Sequence, residues 1–181
     1  MKVLFFSDVH GSAESVGRLK KRIDDLSPEF LVLLGDVLYQ GACDPFRRDD
    51  GQGVAELLNP FAEKIIAVRG NCDTPADQRV LRFPIMADHS TLVIDNERFF
   101  LTHGHLWNES ALPPLPAGAV LAHGHTHIPE LKRLAGGVVI FNPGSVSRPK
   151  RGLPASFGTY EDGVLRVLEL ESGEVMMEME L

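Results

Sequence analysis

Val3-Leu4-Phe5-Phe6-Ser7-Asp8-Val9-His10, residues 3–10, sets four apolar residues directly before an Asp-x-His pair. An apolar run that short, closed by polar residues, reads as a strand buried on both faces. The same construction recurs along the chain. Phe30 to Leu34 precedes Gly35-Asp36, and Ile65 to Val68 precedes Arg69-Gly70-Asn71-Cys72-Asp73. Phe99 to Thr102 precedes His103-Gly104-His105, and Ala119 to Ala122 precedes His123-Gly124-His125-Thr126-His127. Five expected strands thus end in residue types that ligate metal ions. In open α/β sheets, sites gather beyond the carboxyl ends of strands, so residues distant in sequence can meet there. Six of the seven histidines lie in these segments, His89 being the exception.

Between the first two runs, Val16, Leu19, Ile23 and Leu26 keep helical spacing, and Ser12 is placed to cap that helix. Residues 54–63 suggest a second short helix with Pro60 near its end. The front third therefore reads as α/β. Beyond about residue 85 short apolar segments alternate with turns, and the pattern becomes mostly β. Asp95-Asn96-Glu97 and Glu161-Asp162-Gly163 are hairpin signals, and Ser172-Gly173 turns the chain into a last strand over 174–181. Met176, Met177 and Met179 there read as strand packing. Leu112 to Gly118, rich in proline, reads as a stiff loop, and no linker divides residues 1–181, so one domain is expected.

Composition narrows the function. The 181 residues are 44% hydrophobic and 24% charged, which suits a globular domain. No apolar run approaches the roughly 18 residues of a membrane span, and no leader pattern opens the chain, so a cytoplasmic protein is expected. Eighteen basic against 25 acidic residues leave a net charge of −7, the wrong sign for a binder of nucleic-acid backbones. Cys43 and Cys72 lack the spacing of a structural zinc site and read as free thiols.

Taken singly, several of these residues have plain structural uses. Asp8 suits a cap or turn, Gly35-Asp36 and Gly70-Asn71 suit tight turns, and His103 suits a hydrogen-bonded core histidine. His123, His125 and His127 differ, because alternate residues of an extended segment share one face and three imidazoles there have few structural uses.

Taken together, Asp8-Val9-His10, Gly35-Asp36-Val37, Gly70-Asn71-Cys72-Asp73, Thr102-His103-Gly104-His105 and Gly124-His125-Thr126-His127 resemble the motifs of the calcineurin-like metallophosphoesterases. With Asn142-Pro143-Gly144-Ser145, they are most similar to the small YfcE-type bacterial phosphodiesterases. The resemblance implies a mixed α/β (α+β) fold, a four-layer αββα sandwich with two divalent metal ions at one edge of its sheets. It assigns Asp8, His10 and His127 to the first ion, Asn71, His103 and His125 to the second, and Asp36 to both. This mixture of imidazole and oxygen ligands suits Mn²⁺ first, with Fe²⁺, Zn²⁺ or Mg²⁺ open. Two ions about 3.5–4 Å apart can lower the pKa of a shared water, aim it in line at phosphorus and neutralise the phosphoryl oxygens.

Around these ligands the resemblance implies further roles. Asp73 would orient or hydrogen-bond a group in the site, and His105 would touch substrate or support a ligand, while His123 sits beside the ligands in a structural role. Where many members of the superfamily have histidine near the leaving group, this chain has Cys72, and a thiol of pKa ~8.5 is a poorer proton donor to departing oxygen. Slow turnover and a preference for phosphodiesters with good leaving groups follow. A small residue that only fills the site is the plain alternative for Cys72.

Arg47 and Arg48, in the polar segment after Asp36, are candidate substrate-binding residues, with solvation as the alternative. Trp107 could stack on a base or simply pack. Arg148, Lys150 and Arg151 read as a solvated basic cluster. The expected partner is a small phosphorylated substrate, with no membrane and no nucleic acid; a homo-oligomer stays open. A protein-interaction scaffold of the retromer-subunit type, a phosphomonoesterase and a metallo-β-lactamase-type hydrolase are the competing readings. The last of these calls for Asp-His after the His-x-His, where this chain has Thr126-His127-Ile128-Pro129.

Overall fold

The computed structural model describes residues 1–38 and 51–181. Three strands, β1 (Lys2–Phe6), β2 (Phe30–Leu33) and β3 (Ile65–Ala67), run parallel, with Val3 opposite Phe30 and Leu31 opposite Ile65. Parallel neighbours need a crossover, and α1 (Ala13–Leu26) supplies the first. Ser12 caps it, its side chain accepting from Ser15 N at 3.3 Å. The second crossover is α2 (Gly51–Leu58), followed by a 3₁₀ turn over Asn59–Lys64. The helix expected over 54–63 thus begins earlier and changes pitch at Asn59. Pro60 explains the break, since its ring disfavours the α conformation in the residue before it and it has no N–H to give.

β4 (His89–Ile94), β5 (Glu97–Thr102), β6 (Val120–Ala122), β7 (Glu130–Arg133) and β8 (Val139–Asn142) form a second sheet in the order β4-β5-β6-β8-β7. β9 (Ser156–Glu161), β10 (Val164–Glu169) and β11 (Val175–Glu180) return to the first, whose order is β11-β10-β9-β1-β2-β3. Both expected hairpins form, around two central residues rather than three. Asp95 and Asn96 (φ 51° and 69°) and Asp162 and Gly163 (φ 50° and 82°) take the left-handed pairs of such turns, while Glu97 and Glu161 join the ladders. Two strands were not foreshadowed. β7, Glu-Leu-Lys-Arg, is a polar edge strand with no apolar run, and β8 is the buried run beside it.

Alternation on the central strands builds the layers. Leu4, Phe6, Leu31 and Leu33 face Val16, Leu19 and Ile23 of α1 and Val54 and Leu58 of α2. Val3, Phe5, Val32 and Leu34 face the second sheet, where Phe5 stacks on Phe99 at 5.7 Å and meets Phe141 edge-on at 5.2 Å. This is the mixed α/β, two-sheet sandwich that the motifs imply. The outer face of the second sheet carries Phe100, Leu121 and Ile140 and is covered by Leu115 of the proline-rich loop. Among the described residues, that loop rather than a helix makes the outermost layer. Trp107 packs there edge-on against Phe100 and His89, the packing use of its two alternatives. No helix among the described residues is long and apolar enough to cross a membrane.

Candidate metal centre

The segments following β1 and β2 continue side by side past the strand ends. Asp8 N donates to Gly35 O at 3.1 Å, His10 N to Asp36 O at 2.9 Å and Gly11 N to Val37 O at 3.0 Å. They do so in a conformation that L-residues avoid: φ is 56° at Asp8, 46° at His10 and 53° at Asp36. His125 and His127 share it, at 66° and 60°. Five of the seven proposed ligands therefore hold left-handed backbone, which costs about 1–2 kcal/mol per residue and persists only where surrounding bonds impose it. His123 to His127 is accordingly not extended, as one shared face would require. Thr126 N closes a tight turn on Gly124 O at 2.7 Å, and it is this turn that presents His125 and His127. Gly124 admits the approach, because a Cβ there would run into Ser7 Oγ and Asp8 Oδ2.

Each carboxylate has one oxygen held by backbone and the other left facing imidazoles. Asp8 Oδ2 accepts from His125 N at 3.0 Å, while buried Oδ1 has no hydrogen-bond partner and lies 3.2 Å from His127 Nε2 and 3.7 Å from His10 Nε2. Asp36 Oδ1 accepts from Cys72 N at 2.9 Å; Oδ2 lies 3.8 Å from His10 Nε2 and 3.4 Å from His103 Nε2. The histidines are held in the complementary way. His127 Nδ1 donates to Arg148 O and His103 Nδ1 to Leu34 O, both at 2.7 Å, so each ring turns its Nε2 inward. His103 Nε2 then meets Asn71 Oδ1 at 3.1 Å. A set of imidazole nitrogens gathered with carboxylate and amide oxygens suits a divalent cation. Asp8, His10 and His127 gather as one possible ligand group, and Asp8, Asp36 and His103 as another.

The titration of these groups, with no ion counted, points the same way. Burial would raise the Asp36 carboxyl, but the hydrogen bond and charge of His103, with the Cys72 N–H, hold it well below the usual carboxylate range. Burial would lower His103, yet the hydrogen bond and charge of Asp36 raise it. His10 is pushed down to about 4 by burial against the pull of Asp36 and Asp8, which keeps it neutral and able to ligate. His125 is lowered too, by burial and then by His103.

Asp73 works behind the site. Its Oδ2 accepts from Asp36 N at 2.8 Å and Gly70 N at 2.7 Å, and its Oδ1 from Val37 N at 2.8 Å. It therefore joins the segments carrying Asp36 and Asn71, a positioning group rather than one that touches substrate, and burial raises its carboxyl to about 6. His105 is not among the cleft-lining residues; its ring packs 5.5 Å from that of His103 and 6.3 Å from that of His125, which suits the ligand-supporting one of its two expected roles. Buried His123 meets Gly124 O and Asn142 Nδ2 through Nδ1, a structural role. Arg47 and Arg48 lie outside the described residues. Cys72 is buried on the cleft wall, its Sγ 3.2 Å from Asn71 Nδ2.

The cleft, of about 490 Å³, exposes His10, Asp36, Asn71, Cys72, His125 and His127. Two further residues line it that sequence reading assigned to solvent, Arg148 and Lys150. Ser145 and Ser147 bring them there: the hydroxyls of both donate to Asp8 O, at 2.8 and 2.9 Å, and Arg148 N donates to Ser145 Oγ at 2.8 Å.

Residues 1–162 match the calcineurin-like phosphoesterase superfamily domain. The chain belongs to that superfamily. Among its phosphoesterase relatives, phosphodiesterase YfcE of Escherichia coli K12 is 42% identical over 180 residues, covering 99% of this chain and 97% of the relative. The solved structure of YfcE, a phosphoesterase from E. coli, superposes with a TM-score of 0.93 at 41% identity over 99% of both chains. A zinc complex of Vps29 from Entamoeba histolytica shares the phosphoesterase fold alone, with a TM-score of 0.67 at 20% identity over 99% of each chain.

Proposed function

We propose that this chain is a phosphodiesterase using two divalent ions, with Mn²⁺ the first choice, on a small phosphorylated substrate in the cytoplasm. The observation that carries the reading is Asp36, whose Oδ2 faces His10 of one ligand group and His103 of the other. One carboxylate at the junction of two groups is what a paired-ion site requires. Asp8, His10 and His127 would hold the first ion, and Asn71, His103 and His125 the second. Ions so held supply a water acidic enough to attack phosphorus near neutral pH and positive charge for the phosphoryl oxygens.

The chain's own groups do the rest. Asp73 fixes the turn that carries Asp36, while Leu34 O and Arg148 O set the tautomers of His103 and His127. Cys72 lines the cleft, and a thiol would give little help to a departing oxygen there. That favours diesters with good leaving groups, and the name of the E. coli relative supports the diester over the monoester. A scaffold on the same fold has no use for seven filled ligand positions.

The test strips the protein of metal, restores Mn²⁺, Fe²⁺, Zn²⁺ or Mg²⁺ separately, and compares bis-p-nitrophenyl phosphate with a simple alkyl phosphomonoester. Faster cleavage of the diester is expected, highest with Mn²⁺. Faster cleavage of the monoester would overturn the diester assignment, and hydrolysis of neither with any ion would favour the scaffold.

A further inference from the structure

We propose that Arg148 and Lys150 form an anion clamp that selects phosphodiesters bearing a second negatively charged group beside the scissile phosphate. The inference rests on the phosphodiesterase reading and specifies its substrate class. Both side chains line the cleft, yet neither is placed as a metal ligand. Among the described residues of the lining, they are the arginine and lysine side chains and Asp36 is the one carboxylate, in a chain whose net charge is −7. Two divalent ions would add four positive charges, with buried Asp8 contributing one negative charge behind them. A diester linkage carries a single negative charge, far less than this wall is built to face.

Both line the same cleft as His10 and His127 on one side and Asn71 and His125 on the other. Their backbone is firmly held. Arg148 O receives His127 Nδ1–H at 2.7 Å, Lys150 N donates to His127 O at 3.3 Å, and Leu153 N closes a turn on Lys150 O at 3.1 Å. Arg151 and Gly152, at φ 58° and 71°, give that turn its tight left-handed form. A clamp anchored to a ligand's own backbone keeps its distance from the scissile phosphate, which is what discrimination by a neighbouring charge needs. Arginine grips phosphate or carboxylate oxygens in bidentate fashion, and lysine adds a point charge.

A matched pair of compounds reads the clamp: thymidine 5′-(p-nitrophenyl phosphate) and the same compound carrying a 3′-phosphate. Leaving group, scissile linkage and nucleoside are identical, and only the added anion differs. Metal-loaded protein should favour the 3′-phosphorylated compound by about tenfold in kcat/KM, the scale of one charge-assisted hydrogen bond. Lys150→Gln and Arg148→Gln should each reduce that ratio by about threefold or more, and raising the salt concentration should shrink it. Arg151→Asn, outside the cleft and at a φ that asparagine tolerates, should keep both rates and their ratio. Equal use of the two compounds by the unaltered protein, or a ratio unmoved in both glutamine variants, overturns the clamp while leaving the phosphodiesterase reading intact. Hydrolysis of neither compound overturns that reading, and the clamp with it.

Discussion

The two proposed ligand groups, which would share Asp36, are built differently. Asp8, His10 and His127 are all buried, and all three hold left-handed backbone. In the other group only His103 is buried, while Asn71 and His125 are exposed. The first group is pinned from behind by Ser145 and Ser147 on Asp8 O and by Arg148 O on His127. The second hangs on three separate strand ends, tied through Leu34 O and the Asp73 carboxylate. A shielded, preset donor group holds an ion more tightly than one that must be ordered as the ion enters. From this contrast, the buried group is expected to hold an ion the more tightly and the open group to exchange one the more readily.

The most damaging test removes the element common to both. Asp36→Asn should lower the rate by at least about a thousandfold, several kcal/mol of lost charge stabilisation, and should weaken both ions together in a metal-content assay. Loss of one ion alone would show that the groups are not joined through this carboxylate. Next, His127→Ala and His125→Ala should part company under dialysis. The first should shed the tightly held ion, the second only the weaker one, with affinities differing by about tenfold or more. Identical losses would erase the asymmetry. Smallest is Asp73→Asn in protein freed of metal. Its amide nitrogen would face backbone N–H groups that now find a carboxylate, lowering unfolding free energy by about 1–3 kcal/mol. An unchanged denaturation midpoint would remove Asp73 from its place behind both groups.

Sequence reading found the ligand residues because each follows an apolar run, and an apolar run leaves a strong imprint. Ser12, Val16, Leu19 and Ile23 announced α1 for the same local reason, cap and period in a single window. It assigned His125 and His127 to one face of an extended segment, whereas a tight turn with left-handed residues presents them. No period marks such a turn. It sent Arg148 and Lys150 to solvent because their place depends on Ser145 and Asp8, which meet across 137 residues. Asp73 kept its place in the motif while its task, three N–H bonds to neighbouring segments, became legible only in three dimensions. β7 escaped because an edge strand facing water need not look apolar.

The position of β1 has a consequence for how the molecule is made. This strand is synthesised well before one of its two neighbours in the sheet, β9, which begins at Ser156. A nascent chain that has not reached the serines of the first ligand group can neither complete its central sheet nor preset a tight ion position. Until then an apolar strand lacks a partner on one side, exposed to the mispairing that unfinished sheets invite.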